Sequence, residues 1–514
     1  MQNKFPQLPN NIEQLKALVV QLNQQLQEKE QKIHSLQHEL KQALQFRFGK
    51  KSEKLPASQL GLFDEALLSA EEKAIVLQTD EAITVASFTR KKGGRKPLPA
   101  DLPRESIIYD LLEAEKICAC GHTLHKMGED KSEQLEFVPA QVKILQHIRY
   151  KYSCRHCEEG VKIATLPPQP IPKSIATPGL LAHVLISKFN DHVPLYRQEH
   201  ILQRYQIDIA RSTLCHWVLS CGELFQPLIN LIKNEIIKSY YVCVDETPVQ
   251  VLKEVNKSNK NKSYIWVYLT GNIEHRLILY DYQPTRASRV VNTFLSDFQG
   301  YLQTDGYAGY HTLQAKAAVI AVGCWSHVRR KFMDIVKIDK TEGKAFEAIN
   351  IIKQLYAIEK HARENTLSFD KIKMLRQEKA KPIVEGFKVW LEKTSLSVPP
   401  QSPLAKAIQY ALNQWNALLP YLNNGELMID NNHVENAIRP FALGRRNWLF
   451  LGNERGAIAA ANIYSLIRTA QANQCDPYRY LRYLLKQLPL CKTDEQRQLL
   501  LPQHCKAALQ ADSK

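Results

Sequence analysis

No apolar run in the 514-residue sequence reaches the ~18 residues that a membrane-spanning helix requires. Met1 to Gln14 also lacks the apolar centre of a leader, being polar and interrupted by Pro6 and Pro9. These absences exclude an integral membrane protein built on helices and predict a soluble chain that works in the cytoplasm. Acidic residues are short as well: 52 Asp and Glu stand against 68 Lys and Arg, giving a formal charge of +16 and a pI near 9.2. That balance favours an anionic partner, although a solvated basic surface gives the same total. A reducing compartment excludes a disulfide framework for the eleven cysteines, so any that cluster become candidate metal ligands. The length suits several domains.

The chain is organised around Ser239 to Gln250, SYYVCVDETPVQ. Tyr240, Tyr241, Val242, Cys243 and Val244 have the composition of a buried strand, which places Asp245 and Glu246 at its exit. A second apolar segment, Gly300 to Gly306, ends in Asp305 followed by a glycine that lets the backbone turn away. Two such carboxylates side by side call for a positive neighbour, and a divalent metal is the usual one. Glu435, in the opening of a helix read over Asn431 to Phe441, supplies a third. Two strand-end acids and a helical Glu suit a pair of Mg²⁺ (or Mn²⁺) ions, with positions left for water and phosphate oxygens. Each acid also has an ordinary reading: Asp245 as a cap before Pro248, Asp305-Gly306 as a turn pair, and Asn432 with Glu435 as a capping box.

Further strands are expected at Ser263 to Thr270, His275 to Tyr282 and Ala317 to Cys324, with a helix at Ser288 to Phe298. That order, with the acids where they fall, predicts an α/β multidomain chain whose catalytic core is ribonuclease-H-like. The core would run over 238–332 and 423–470, split by a mainly helical insertion over 333–422 and followed by a C-terminal helical tail over 471–514. Ahead of it, Leu15, Val19, Leu22, Leu26, Lys29, Ile33, Leu36, Leu40 and Ala43 alternate in steps of four and three. This is a coiled-coil seam within 1–48, suited to a homodimer or higher oligomer. A linker over 49–110 carries the basic arm RKKGGRKPLP with Arg95 and Lys96, able to follow a phosphate backbone.

Over 111–165, Cys118-Ala-Cys120 and Cys154-Arg-His-Cys157 form two close pairs that would hold a structural Zn²⁺. His122 or His125 stands in reserve, because the first pair is one residue shorter than the usual knuckle. An alternating segment around Leu135 to Tyr150 reads as strand. After the boundary LPPQPIP, 173–235 reads as helices over Pro178 to Asn190 and Pro194 to Tyr205, then one capped by Ser212 or Thr213. That pattern is compatible with a helix-turn-helix or with a plain helical spacer. His327, Arg329, Arg330 and Lys331 start a helix where they could meet phosphates. Arg439, Arg445 and Arg446 add charge near Glu435, and Trp448 could stack on an unpaired base.

VDETPV, TDGYAGY, CWSHVRRKF, DNNHVENAIRP and FALGRRNWLFLG resemble the signature segments of the insertion-sequence 66 family transposase of the TnpC type, a branch of the DDE transposases. The leading helix, RFGKKSEK, GRKPLP and the cysteine module extend the resemblance over nearly the whole chain. It implies metal-dependent DNA strand cleavage and strand transfer on double-stranded DNA, acting at element ends and target, with Asp245, Asp305 and Glu435 as the triad. It also implies Cys118, Cys120, Cys154 and Cys157 as zinc ligands and two smaller companion proteins from the same element. Two positions depart from the pattern: Asn436 stands where Arg is often found beside the acid, and the first cysteine pair is short.

Overall fold

The computed structural model describes residues 165–511, apart from 255–261, 272–274 and 340–342, together with 142–153, 161–163 and parts of a leading helix (Glu13, Lys16, 18–26, Lys29, Lys32 and Ile33). Arg95, Lys96, Cys118, Cys120, Cys154 and Cys157 lie outside the described residues, as does the connector over 49–110. The chain divides into two units, 70–164 and 1–69 with 165–514. In the first, β1 (Lys151–Ser153) and β2 (Val161–Ile163) pair antiparallel. The sequence between them carries Cys154 and Cys157. The strand expected over Leu135 to Tyr150 is absent from its described part. Residues 142–150 have no regular structure, and Ile144 and Ile148 are exposed. Alternation makes a strand only where one face has something to bury against.

The second unit is built on a five-stranded sheet in the order β6-β5-β3-β7-β8. Its strands are β3 (Tyr241–Val249), β5 (Ser263–Thr270), β6 (Ile278–Gln283), β7 (Gly300–Gln303) and β8 (Val319–Val322). β5 runs antiparallel to both of its neighbours, β3 and β6, while β7 and β8 lie parallel to β3. A small parallel pair, β4 (Val251–Lys253) and β9 (Leu451–Asn453), stands apart. Tyr241 to Val244 and Ile265 to Leu269 are fully buried, as a sheet covered on both faces requires.

Four helices precede the sheet: α1 (Pro178–Phe189), α2 (Leu195–Gln203), α3 (Arg211–Leu224) and α4 (Gln226–Lys238). Ser212 and Thr213 do not cap α3, whose N-cap is Ala210. The Glu199 carboxylate of α2 accepts from the Arg211 amide at 2.9 Å instead, so the exposed helix end already has an acceptor. Leu214, Trp217, Val218 and Cys221 are buried, leaving Arg211, Ser212, Cys215 and His216 on the solvent side.

One helix lies between β6 and β7, and a run of further helices follows β8. The first is α5 (Ser288–Phe294); the run begins with α6 (Trp325–Asp339), α7 (Lys344–Glu364), α8 (Phe369–Leu375), α9 (Lys381–Ser395) and α10 (Pro403–Asn413). α7, α8, α9 and α10 all fall within 333–422. α11 (Asn432–Trp448), α12 (Glu454–Ala472) and α13 (Pro477–Gln487) follow. α12 covers the edge strand β6. Thr469 Oγ1 accepts from the Ile278 amide at 3.1 Å, and Ser465 Oγ from that of Tyr280 at 2.8 Å. The outward amides of that edge are thereby closed to another strand. Its alanines, Ala459, Ala460 and Ala461, let it lie close: a Cβ on Gly222 of α3 would meet Ala459 Cβ at 2.5 Å.

Between α8 and α9 a π turn, Arg376–Ala380, carries a buried arginine into the insertion. Arg376 grips Glu359 through two bonds of 2.8 and 2.7 Å and donates to the carbonyls of Tyr421 and Asn424, each at 2.8 Å. Removing one partner of such a pair leaves a buried charge and two carbonyls without donors. Arg376→Ala is expected to lower stability by about 3 kcal/mol or more, read by chemical denaturation.

Candidate active site

β3 does not stop at Asp245 as the composition suggests; it runs on to Val249, because β5 pairs with it all the way to Ser263. What ends near Asp245 is the parallel half of the sheet: β7 pairs no further than Gln303, opposite Cys243. From there one side of β3 is locally an edge. Pro248 is tolerated for that reason. Its carbonyl accepts from Arg445 Nη1 of α11, and since a strand residue's N and O point the same way, its missing N–H also falls on the open side.

Alternation along β3 gives its two acids different surroundings. Glu246 is engaged by Arg286 Nε at 2.5 Å and by the Tyr310 hydroxyl at 2.5 Å, while the Arg286 guanidinium lies 3.7 Å from the centre of the Tyr307 ring. Asp245 accepts from the Glu246 amide at 2.8 Å. Burial first, then the charges of Glu246, Asp305 and Glu435, push its carboxyl well above the usual range. Asp305 lies two residues past β7 and accepts from the Tyr307 amide at 3.0 Å, so it does hold a turn. Burial raises it too, opposed by that amide and by Arg286, Arg330 and Lys331.

Glu435 sits in the first turn of α11 and takes part in no capping box. The N-cap, Asn431, spends its amide group on the Val244 carbonyl at 3.1 Å, the residue before Asp245. Its own N–H donates to Cys324 Sγ at 3.1 Å. Asp430, also buried, accepts from the Asn432 backbone at 3.1 Å, from the Asn432 side chain at 2.8 Å and from the Tyr356 hydroxyl of α7 at 2.9 Å. Gln303 donates to the Met428 carbonyl at 2.9 Å and accepts from Tyr241. The segment before α11 is thus pinned to β3, β7 and the insertion at once. Arg330 Nη2 lies 3.3 Å from Glu435 Oε2 and His327 Nε2 3.7 Å from Oε1. Glu435 Oε1 is buried with no hydrogen-bond partner among the described residues. Burial raises its carboxyl, with Arg330 opposing and Asp430 and Asp305 adding.

The three acids therefore share one field. They do not form a single tight cage: the group of His, Cys, Asp or Glu whose ligand atoms fall within 4.8 Å of one another, among the described residues, is Cys324, His327 and Glu435. The donor set still fits hard cations, since an orphaned carboxylate oxygen and two mutually repelling acids all favour added positive charge.

The cationic residues split. Arg330 faces Glu435, and the charge of Arg329 reaches Tyr356 on α7. Burial, with Arg330 and Lys331, holds His327 down at about 3, so its imidazole is neutral. Arg439 and Arg445 are half-buried and Arg446 is exposed. Trp448 packs edge-on against Phe441 at 5.4 Å and lines a cavity of about 610 Å³ with Lys188, Tyr196, Arg211 and Phe450. Sequence reasoning missed Tyr356, Gln303 and Asp430. Only the polar run before α11 hinted at the last.

A carboxyl raised on folding stabilises the protein at low pH and loses that contribution as pH climbs through its folded value. In metal-free protein, stability is expected to fall from acid toward neutral pH. Asp245→Asn should flatten that slope and raise the neutral-pH melting temperature while reducing stabilisation by added Mg²⁺, as thermal unfolding from pH 4 to 8 would register.

A family model described as Transposase IS66 family matches residues 173–459. Three more match 115–158 (zinc-finger binding domain of transposase IS66), 35–107 (Transposase C of IS166 homeodomain) and 465–503 (IS66 C-terminal element). A zinc-finger module is therefore part of the chain. Among curated relatives, uncharacterized protein y4jD of Sinorhizobium fredii is 30% identical over 519 residues, covering 99% of both chains. Uncharacterized protein y4hP of the same organism is 32% identical over 487 residues, 89% of this chain and 85% of its own. With one family model spanning more than half of the sequence and a relative aligned along nearly all of it, the chain belongs to the IS66 family of transposases.

Proposed function

We propose that this transposase binds the ends of its insertion sequence and cuts and joins DNA strands at Asp245, Asp305 and Glu435. The observation that carries the reading is the electrostatic coupling of Asp245 to both other acids, which reach it from separate parts of the chain. The sheet order, with three antiparallel strands followed by two parallel ones, supports a ribonuclease-H-like core. Asp245, Asp305 and Glu435 would hold two Mg²⁺ or Mn²⁺ ions, which supply a lowered pKa for the attacking water or 3′-hydroxyl and charge stabilisation for the departing oxygen.

The chain's own groups do the rest. Arg330 orients Glu435, and the carbonyl of Val244 anchors Asn431 so that the helix-borne acid keeps its distance from Asp245. Arg329, Arg439, Arg445 and Arg446, with His327, present charge and hydrogen bonds to the DNA backbone near the acids, and Trp448 borders the cavity beside α3 where a displaced base would stack. The outward face of α3 reads a groove, and Arg95 and Lys96 follow phosphates. Cys118, Cys120, Cys154 and Cys157 hold the zinc, the second pair between the strands of a hairpin. Val19, Leu22, Leu26 and Ile33 are each more than half exposed, as expected of a seam kept for a second copy. Two smaller proteins of the element assist, and the site of action is the bacterial cytoplasm.

Asp245→Asn, Asp305→Asn and Glu435→Gln should each lower Mg²⁺-dependent cleavage and joining of end-containing DNA by about a thousandfold or more. Wild-type rates in Asp245→Asn would sink the assignment. Supplied with a pre-cleaved end, the enzyme should yield a joined product; cutting without joining would make it a nuclease. Removing residues 1–48 is expected to impair pairing of two ends, in a gel-shift assay, more than binding to one.

A further inference from the structure

Cys324 and His327 fall three residues apart across the start of α6, so both face the same way, and the direction they share is that of Glu435. The three offer a sulfur, an imidazole nitrogen and a carboxylate oxygen, all within 4.8 Å of one another. His327 Nε2 and Glu435 Oε1 are 3.7 Å apart, close to the ~3.4 Å that separates two ligand atoms about 2.1 Å from a tetrahedral ion. Arg330 engages the other oxygen, Oε2, so Oε1 is not already spent. Burial, with the charges of Asp430 and Glu435, holds the Cys324 thiol protonated until a cation arrives; the Asn431 N–H donates to its sulfur at 3.1 Å, and the Ser326 hydroxyl stands 3.0 Å away. Such second contacts are what hold and tune a metal-bound cysteine. No fourth His, Cys, Asp or Glu joins the group among the described residues, so one position stays open.

We propose that Cys324, His327 and Glu435 form a binding site for a thiophilic divalent cation of the Zn²⁺ class, separate from the zinc-finger module, and that its occupancy switches the enzyme off. Thiolate and imidazole select Zn²⁺ or Co²⁺ over Mg²⁺, which prefers oxygen alone. As the S–metal bond forms, the Cys324 thiol gives its proton to solvent, while His327 binds as neutral imidazole and Glu435 as carboxylate. Glu435 Oε1 is then committed to the soft ion and withdrawn from Asp245 and Asp305. The binding claim stands on this geometry alone; the inhibitory consequence rests on the function proposed above.

The test uses the full-length protein with its zinc finger loaded, titrated with Co²⁺. Wild type should develop a thiolate-to-cobalt absorption band in the near ultraviolet. Asp245→Asn should retain it, Cys324→Ser should lose it, and His327→Gln should weaken Co²⁺ binding at least about tenfold. An identical band in Cys324→Ser overturns the site. Should that variant fail to fold, X-ray absorption of wild type loaded with cobalt decides instead: one sulfur among nitrogen and oxygen ligands supports the site, and a shell without sulfur or with four sulfurs overturns it. In DNA cleavage with Mg²⁺, added Zn²⁺ should inhibit wild type at least about tenfold more strongly than Cys324→Ser, each against its own zinc-free rate. Equal sensitivity overturns the inhibitory role. Absence of cleavage in every preparation would count against the proposed function while leaving the cobalt result to stand or fall by itself.

Discussion

Keeping several carboxylates ionised inside a protein is the constraint to which the rest of this structure answers. An uncompensated buried charge costs several kcal/mol, and burial is the leading cause of the upward shift at Asp245, Asp305 and Glu435 alike. The compensation is uneven. Asp305 has a backbone amide and three cations, and Glu435 has Arg330, whereas Asp245 has one amide and three negative neighbours. The site is therefore most in need of positive charge at the residue central to the sheet. Glu246, one position along, shows the opposite solution: Arg286 and Tyr310 saturate it, and it serves the fold rather than the open site.

Much of this was legible in the sequence. The acids stood out because an apolar β-branched run rarely leads into Asp without cause, and the long gap between Asp305 and Glu435 left a helical insertion as the economical reading. β5 appears where its composition placed it, residue for residue. Other features were hidden for identifiable reasons. Asp245, Glu246 and Pro248 are poor strand formers, so β3 looked finished; tertiary pairing with β5 overrode that preference. Ser212 and Thr213 looked like caps because the competing acceptor, Glu199, sits on a different helix. Asn432 and Glu435 had the spacing of a capping box, but the side chains around them were recruited by β3 and Asp430.

The polar residues that hold Glu435 in place illustrate why such networks escape a linear reading. Asp430, Asn431, Gln303 and Thr304 are all buried, and each bonds to groups far away in the chain or to the backbone beside it, although Asn431 Oδ1 has no partner among the described residues. In the sequence they resemble surface turns. In the folded protein they replace apolar packing where two strand ends and a helix start must meet at fixed separations, a task for directional bonds.

The hydroxyl of Tyr356 on Asp430 gives the helical block after β8 a share in placing Glu435. α7 spans 21 residues and belongs to a bundle locked by Arg376, so the reach of that hydroxyl is set by the whole bundle rather than by one flexible side chain. Exchanging this helical block for that of a relative would thus transplant the donor's alignment of the third acid along with it. A graft that ignores the Tyr356 register would yield a well-folded protein with Glu435 out of line.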